Sequence, residues 1–318
     1  MGLIISNPAI FSNSTISGIK LFVNAVLPGL FPFMFLTKLL TELGLIFKIT
    51  KLCSKISNKL FGTPGVSFYC FFMSILSGYP IGAKIICDLY NKNLITEEDA
   101  KRMSLFCTTS GPIFVIGAVG VGMISNIQIG VIIYISHILA SIILGISYNL
   151  IFKTKNQTQT KIVFTSQVQS NLISSVLSDT INSIFMVGGF ITIFYLATEI
   201  LSVLNIVNFS AKFLAKIFAF TNISEQDFIG AIYGLVEVTH GIKELSSHAT
   251  INIPLICGLI SFSGISIIMQ SLSFLKQAKI KTHTFILSKC VLMILSMLIC
   301  KILLFFWWCI NSFKVVDC

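Results

Sequence analysis

Uninterrupted apolar runs alternate with short polar breaks along the whole chain. The runs at residues 127–152, 181–204 and 282–306 are each long enough for a membrane-spanning helix, which needs about 20 predominantly apolar residues. A further span is predicted from about Gly18 to Leu43, and it should be kinked because it contains Pro28 and Pro32. Residues 2–20 are too short to cross and should lie along the interface or pack on that span. Other apolar runs are broken by Gly, Pro, Ser or Lys. The pattern predicts an all-α polytopic membrane protein with several broken membrane segments.

One break lies at residues 76–84, which read Leu-Ser-Gly-Tyr-Pro-Ile-Gly-Ala-Lys between two short apolar arms. Gly78 and Gly82 permit backbone angles and close approaches that other residues resist, and Pro80 removes an amide donor. Broken backbone at membrane depth survives only inside protein or beside a water-filled cavity, so this break marks a candidate site. Its candidate residues are Ser77, Gly78, Tyr79, Pro80, Gly82 and Lys84.

Upstream of this break, a lysine recurs every three or four residues. Lys48, Lys51, Lys55 and Lys59 therefore share one face of a helix at residues 47–60. This pattern is typical of an amphipathic helix on an anionic membrane surface. A charged loop between two spans is the alternative interpretation.

Residues 65–91 form either one broken span or a re-entrant hairpin, because neither apolar arm is long enough to cross alone. The loop at residues 91–102 contains Lys92, Lys101 and Arg102, cations like those of the helix before the hairpin, and the positive-inside rule, which counts cations, then places both ends in the cytoplasm. The charges therefore favour the hairpin. After it, Thr96 and Asp99 predict a capped helix start.

A second break follows that helix and carries three hydroxyl side chains before Pro112. Hydroxyls at a break either satisfy freed backbone groups in a kinked membrane helix or bind a polar solute, and both interpretations stay open. The candidate residues are Thr108, Thr109, Ser110 and Gly111. In the next span, His137 is interpreted as a packed interhelical donor rather than part of a polar pathway.

The sequence contains a weak internal repeat. An offset of 159 residues pairs Gly82 with Gly241 and Lys84 with Lys243, and an offset of 153 pairs Ser110-Gly111 with Ser263-Gly264. Both halves also follow the same order of long span, basic amphipathic segment, broken hairpin, broken span and uninterrupted span. The candidate residues of the second half are Glu237, Thr239, His240, Gly241, Lys243, Glu244, Ser263 and Gly264.

We therefore predict two repeats, at residues 1–153 and 171–318, joined by a cytoplasmic linker at residues 154–170. Cations follow the last span of the first half, whereas they precede the last span of the second half, at residues 276–281. The two final spans should then run in opposite directions, as in an inverted-topology repeat. Each repeat would hold an amphipathic surface helix, the second at residues 207–220, a re-entrant hairpin and a broken transmembrane helix. The hairpin tips should meet near the midplane.

Composition supports the membrane class and narrows the chemistry. The chain is 55% hydrophobic and 11% charged, with a mean hydropathy of +0.91. The net charge of +10 comes almost entirely from scattered lysines, so it indicates topology and not nucleic-acid binding. The nine cysteines show no metal-ligand spacing, and we expect neither a metal nor a cofactor.

The sequence also resembles the bacterial sporulation integral membrane protein family of the YlbJ type, whose repeats are similar to the nucleoside-recognition Gate domain. The resemblance covers nearly the whole chain, and its most specific block is Gly-Tyr-Pro-x-Gly-Ala-Lys at residues 78–84. It also includes Ser110-Gly111-Pro112, His137, Gln270 and Lys289. The resemblance implies a role in spore maturation, notably cortex formation, and transport only by analogy.

Three function classes follow. A transporter or channel for a small polar solute is favoured, a non-transporting scaffold of the sporulation membrane is second, and an enzyme is disfavoured because no Walker loop or H-E-x-x-H motif is present. The predicted pathway comprises both tips, both broken-helix turns and Gln270. Glu237 and His240 would couple a proton or cation, although Lys84 and Lys243 could simply pair with acids such as Asp88. The expected partners are the bacterial membrane bilayer, the solute and the coupling ion, with a homo-oligomer possible.

Overall fold

The computed structural model describes residues 5–152, 171–220, 223–247 and 252–316, and these residues are predominantly helical with no strand among them, which confirms the predicted all-α class. The first half contains α1 (Pro8–Leu21), α2 (Leu27–Glu42), α3 (Leu45–Phe61), α4 (Val66–Ser77), α5 (Ile81–Asn91), α6 (Glu97–Phe106), α7 (Ile113–Met123) and α8 (Ile127–Ile151). The second half contains α9 (Leu172–Val203), α10 (Ile206–Ile217), α11 (Glu225–Val236), α12 (Val238–Ser246), α13 (Ile253–Phe262), α14 (Gly264–Leu275) and α15 (Thr282–Val316). The predicted linker at residues 154–170 lies outside the described residues.

Four described segments are long and apolar enough to cross a membrane: Ile127–Ile151, Leu172–Val203, Ile253–Ala278 and Thr282–Cys309. Two bent helix pairs raise this number to six if each pair forms one span. One of them joins α1 to α2 at an angle of 50°, and the other joins most of α3 to α4 at 88°.

A helix from Pro8 precedes and overlaps the span that the sequence pattern places from about Gly18 to Leu43. It continues through a π-helical turn at Phe22–Val26 into α2. The turn directly precedes Pro28, which has no N–H and would clash with the carbonyl one turn earlier. The predicted kink is therefore present, at the N-terminal side of that proline.

The α1–α2 unit packs antiparallel to α9 along its length. Near one end Gly18 faces Thr192, and further along Phe22 faces Gly188. Near the other end the Lys38 Nζ atom lies 3.2 Å from Asp179 Oδ2. Along this contact the residue numbers increase on α1–α2 and decrease on α9, so the first long helices of the two halves run in opposite directions.

The last long helices, α8 and α15, also pack antiparallel. Ile133 of α8 shares an apolar cluster with Cys300 of α15, whereas Leu144 shares another with Leu292. The α13 helix lies between them, and its Cys257 thiol contacts the backbone carbonyls of Ile133 and Ser296 at 3.7 Å and 3.6 Å.

Several basic segments lie together at one end of the bundle, which we call the basic face. The amide of Asn91, at the end of α5, donates to the Gln277 side chain at 3.3 Å and thus joins that helix to the basic loop before α15. The Asn149 amide contacts the carbonyl of Lys59, at 3.3 Å, so α3 ends at the same place as α8. The basic face therefore collects α3, the end of α5 and the start of α15.

Two short helix pairs occupy equivalent places in the chain order. The α4 and α5 helices have 12 and 11 residues, about 18 Å and 17 Å, and neither can cross a hydrocarbon core of about 30 Å. They pack against each other, and the Cys70 thiol of α4 contacts the Gly82 carbonyl of α5 at 3.5 Å. The α11 and α12 helices are joined only by Glu237.

The later helices of each half are interrupted as well. The α6 helix begins with the predicted cap, in which the Asp99 N–H donates to Thr96 Oγ1 at 3.1 Å, and it ends at Phe106. The chain is then non-helical until α7. Between α13 and α14, Ser263 and Gly264 both adopt positive φ, at 82° and 69°.

The two amphipathic segments are helical, which excludes the loop alternative for residues 47–60. On α3, Lys51 and Lys55 are exposed, and so are Leu52 at 82% and Ile56 at 52%. On α10, Phe209 and Phe213 are 75% and 59% exposed. Exposed apolar side chains beside lysines are typical of helices at a membrane interface.

A cavity between the two helix-pair tips

A cavity of about 280 Å³ lies where the two short helix pairs approach each other. The α4–α5 tip and the break after α6 form one wall, and the α11–α12 junction and α14 form another. Apolar residues of α1, α2, α7 and α9 complete the lining. Of the candidate residues, the cavity brings together Ser77, Gly78, Tyr79, Ser110, Gly111, Glu237, Thr239 and Gln270.

The first wall depends on two glycines in direct contact. Gly78 ends α4 with a φ of +82°, and a Cβ atom there would lie only 2.6 Å from the Gly111 nitrogen. The close backbone approach places Ser77 and Ser110 on the same surface. The Ser77 hydroxyl is buried and has no hydrogen-bond partner within the described residues, so it presents an unsatisfied polar group to the cavity.

The opposite wall carries a buried carboxylate. Glu237 is 3% exposed, and its extended backbone ends α11 and starts α12. Its Oε2 atom accepts the His240 N–H at 2.7 Å, so the first turn of α12 and its dipole stabilise the negative charge. Within the described residues no cation pairs with this carboxylate.

A buried lysine supports the first wall from behind. Lys289 of α15 is 1% exposed, and its Nζ atom donates to the Tyr79 hydroxyl at 3.1 Å and to the Thr108 carbonyl at 2.7 Å. No described carboxylate lies within ion-pair distance of it. Lys289 is not among the candidate residues predicted from the sequence. A cation inside an apolar span is costly, so its position in the sequence was a signal that could have identified it.

His137 connects the two broken helices. Its Nε2 atom accepts the Ser110 N–H at 2.9 Å, and its Nδ1 atom lies 2.8 Å from the Ser261 hydroxyl. Because Nε2 accepts, the ring is neutral and the proton resides on Nδ1, which donates to Ser261. The residue is fully buried and packs between helices, as the favoured sequence interpretation described.

The threonines of the first break turn away from the cavity. The Thr108 hydroxyl donates to the Ser104 carbonyl at 3.0 Å, and the Thr109 hydroxyl lies 3.0 Å from the Ser74 hydroxyl. Their hydroxyls thus stabilise the interrupted backbone, whereas Ser110 and Gly111 line the cavity.

The remaining candidates do not line the cavity. Lys84 lies 3.8 Å from Asp88, the pairing alternative, and Lys243 is exposed. His240 stacks between Tyr195 and Tyr233, with ring centroids 5.5 Å and 4.4 Å away. The other candidate residues outside the lining are Pro80, Gly82, Gly241, Glu244, Ser263 and Gly264.

The multiple apolar spans define a multi-pass membrane protein. The chain is 26% identical over 309 residues to the sporulation integral membrane protein YlbJ of Bacillus subtilis (strain 168), covering 90% of this chain and 76% of that protein. This relationship to an integral membrane protein supports the resemblance to that family. No family model matches the chain, and no solved structure gives a significant match.

Proposed function

We propose that this protein is a transporter or channel for a small polar solute in the membrane of an endospore-forming bacterium, where it acts in spore cortex maturation. The proposed role in sporulation rests on the relative's name, and the proposed transport activity rests on the cavity. The solute class is nucleoside-like or another small polar molecule, by analogy with the Gate domain.

The observation that carries this proposal is the carboxylate of Glu237 at the cavity wall. A charged group in the membrane interior costs several kcal/mol unless it is paired or hydrated. Glu237 is almost fully buried, lacks a described cation partner, and faces a cavity that also contains the unsatisfied Ser77 hydroxyl. As the N-cap of α12 the side chain also serves the fold, but a neutral acceptor could make the same bond to the His240 N–H, whereas a solute or coupling ion would use the charge.

The helix directions support an inverted repeat as the framework of this site. The α1–α2 unit opposes α9, and α8 opposes α15, so the first and last long helices of each half are both antiparallel to their counterparts. In such repeats the site lies at the repeat interface near the bilayer midplane, between discontinuous helices. In this proposal α4–α5 and α11–α12 are re-entrant hairpins that enter from opposite faces.

The alternative is a scaffold that assembles other proteins at the sporulation membrane without transport. In that case the charge at the cavity wall would be dispensable, provided that the fold is preserved.

A charge-neutral variant separates the two possibilities. Glu237→Gln keeps the side-chain shape and an oxygen that can accept the His240 N–H, while it removes the charge. The matched control is Glu225→Gln, which makes the same change on an exposed position at the start of α11. We expect Glu237→Gln to abolish spore maturation at normal membrane abundance and Glu225→Gln to support it. Normal maturation with both variants would favour the scaffold.

A further inference from the structure

A cluster of ion pairs joins three helices at the basic face. The Lys38 Nζ atom of α2 lies 3.1 Å from Asp88 of α5, 3.2 Å from Asp179 of α9 and 3.6 Å from Glu42. Two further pairs are Lys84 with Asp88 at 3.8 Å and Lys92 with Glu42 at 2.8 Å. We define the ion-pair cluster as Lys38, Glu42, Lys84, Asp88, Lys92 and Asp179.

The cavity and the ion-pair cluster lie along the same helices. On α2, Leu30 lines the cavity and Lys38 belongs to the cluster, a separation of about 12 Å at a rise of 1.5 Å per residue. On α9, Val187 and Asp179 give the same order and about the same separation. The α5 helix starts beside Tyr79, which lines the cavity, and reaches the cluster further along.

A second, smaller cavity of about 20 Å³ lies between them. Thr37 of α2 and Thr180 of α9 line it from opposite sides, together with Lys38, Lys84 and Asp88 of the cluster. Thr37 is 3% exposed, and its hydroxyl has no hydrogen-bond partner within the described residues. An unpartnered buried hydroxyl is uncommon, and here it lines the space that leads from the main cavity to the basic face.

The passage is closed in this structure. Met34 and Ile184, both buried, belong to the apolar cluster that fills the seam beside Ile81. Beyond them the ion pairs of Lys38 hold α2 against α5 and α9. Because Lys38 belongs to the first half and Asp179 to the second, any separation of the halves at this seam must break the Lys38–Asp179 pair.

We infer that the solute path continues from the main cavity between α2, α5 and α9, and that the ion-pair cluster is the gate that closes it at the basic face. This inference rests on the proposed function, since it describes the route to the same cavity. It assigns the cluster residues a role in controlling access.

The test measures access to the small cavity and needs no solute. Thr37→Cys is reacted with a membrane-impermeant thiol reagent from each side of sealed vesicles, and the labelled peptides are identified by mass spectrometry. The native Cys70 and Cys107, both fully buried, report any general unfolding in the same sample. If the Thr37→Cys protein does not accumulate, Thr180→Cys reports on the same cavity from α9.

With the cluster intact, we expect the new thiol to be protected. Adding Asp179→Asn should speed its labelling from the basic face about two- to fivefold, the effect of losing one partly exposed ion pair. Lys38→Gln removes three pairs and should have a larger effect, on the order of tenfold. Asp179→Glu keeps the charge, and Lys101→Gln removes a separate pair with Glu98, so neither should increase labelling.

Labelling that is unchanged by both Asp179→Asn and Lys38→Gln would overturn the inference, as would labelling that rises only together with Cys70 and Cys107. The labelling experiment and a transport assay can fail separately. If access follows the cluster but no solute crosses the membrane in an uptake assay, the gate is supported and the transport proposal fails.

Discussion

Two glycines that pair at the repeat offset, Gly82 and Gly241, have no room for a side chain. A Cβ atom on Gly82 would overlap the Cys107 carbonyl oxygen and lie 2.8 Å from the Ser74 hydroxyl. A Cβ atom on Gly241 would overlap the backbone of Gly234. In both cases the nearest obstacle is backbone, which cannot rotate aside. Alanine would therefore force α5 away from the break after α6, and α12 away from α11.

We therefore predict that Gly82→Ala and Gly241→Ala each destabilise the protein by about 1–3 kcal/mol, the usual cost of overpacking. At about 2 °C per kcal/mol for a chain of this size, Tm should fall by about 2–6 °C. The matched control is Gly189→Ala on α9, where a Cβ atom would meet nothing within 4 Å. That variant should gain about 0.5–1 kcal/mol from helix propensity and leave Tm unchanged or slightly raised.

The assay is thermal unfolding of purified protein in detergent, followed by a maturation test in spores. Gly82→Ala should also impair function, because its helix carries the tip that contains Tyr79. The claim that these two glycines are tightly packed would be wrong if Gly82→Ala and Gly241→Ala had the same Tm as the parent protein. It would also be wrong if Gly189→Ala lost as much stability as they do.

Two further predictions concern the buried lysine and the orientation of the halves. Lys289→Met should impair spore maturation, because it leaves the Tyr79 hydroxyl and the Thr108 carbonyl of the first wall without their donor. Removal of the unpaired cation offsets part of the cost of these lost hydrogen bonds, so Tm should change by only a few degrees. Lys301→Met, at an exposed position on the same helix, should change neither, and a collapse of protein abundance with Lys289→Met would indicate a purely structural role instead. Single cysteines at Lys55 and Lys216, in a background without other thiols, should react with an impermeant reagent from opposite sides of the membrane; reaction from the same side would exclude the inverted repeat.

The local features of the fold were predictable from the sequence because they depend on neighbouring residues. The cap at Thr96, the long span of α8 and the break at Gly78 each follow from a short stretch of chain. The position of α1 was less predictable, because it packs against α9, which is far away in sequence.

The candidate site was less accessible to sequence reasoning because distant segments build it. The pattern singled out Ser77 and Glu237, but no local signal shows that they line one cavity. Nor could spacing reveal that Lys289 contacts Tyr79 across 210 positions. The hydroxyls of Thr108 and Thr109 looked equivalent to that of Ser110, and only the backbone path shows that they turn away from the cavity.

The most direct test of the account is a solute-uptake screen with purified protein in proteoliposomes. We expect at least one small polar solute to accumulate with the parent protein and with Glu225→Gln, but not with Glu237→Gln at equal reconstitution. If the parent protein moves no solute across a broad panel, while the same protein restores spore maturation in cells, transport through the cavity is contradicted and the scaffold function is favoured.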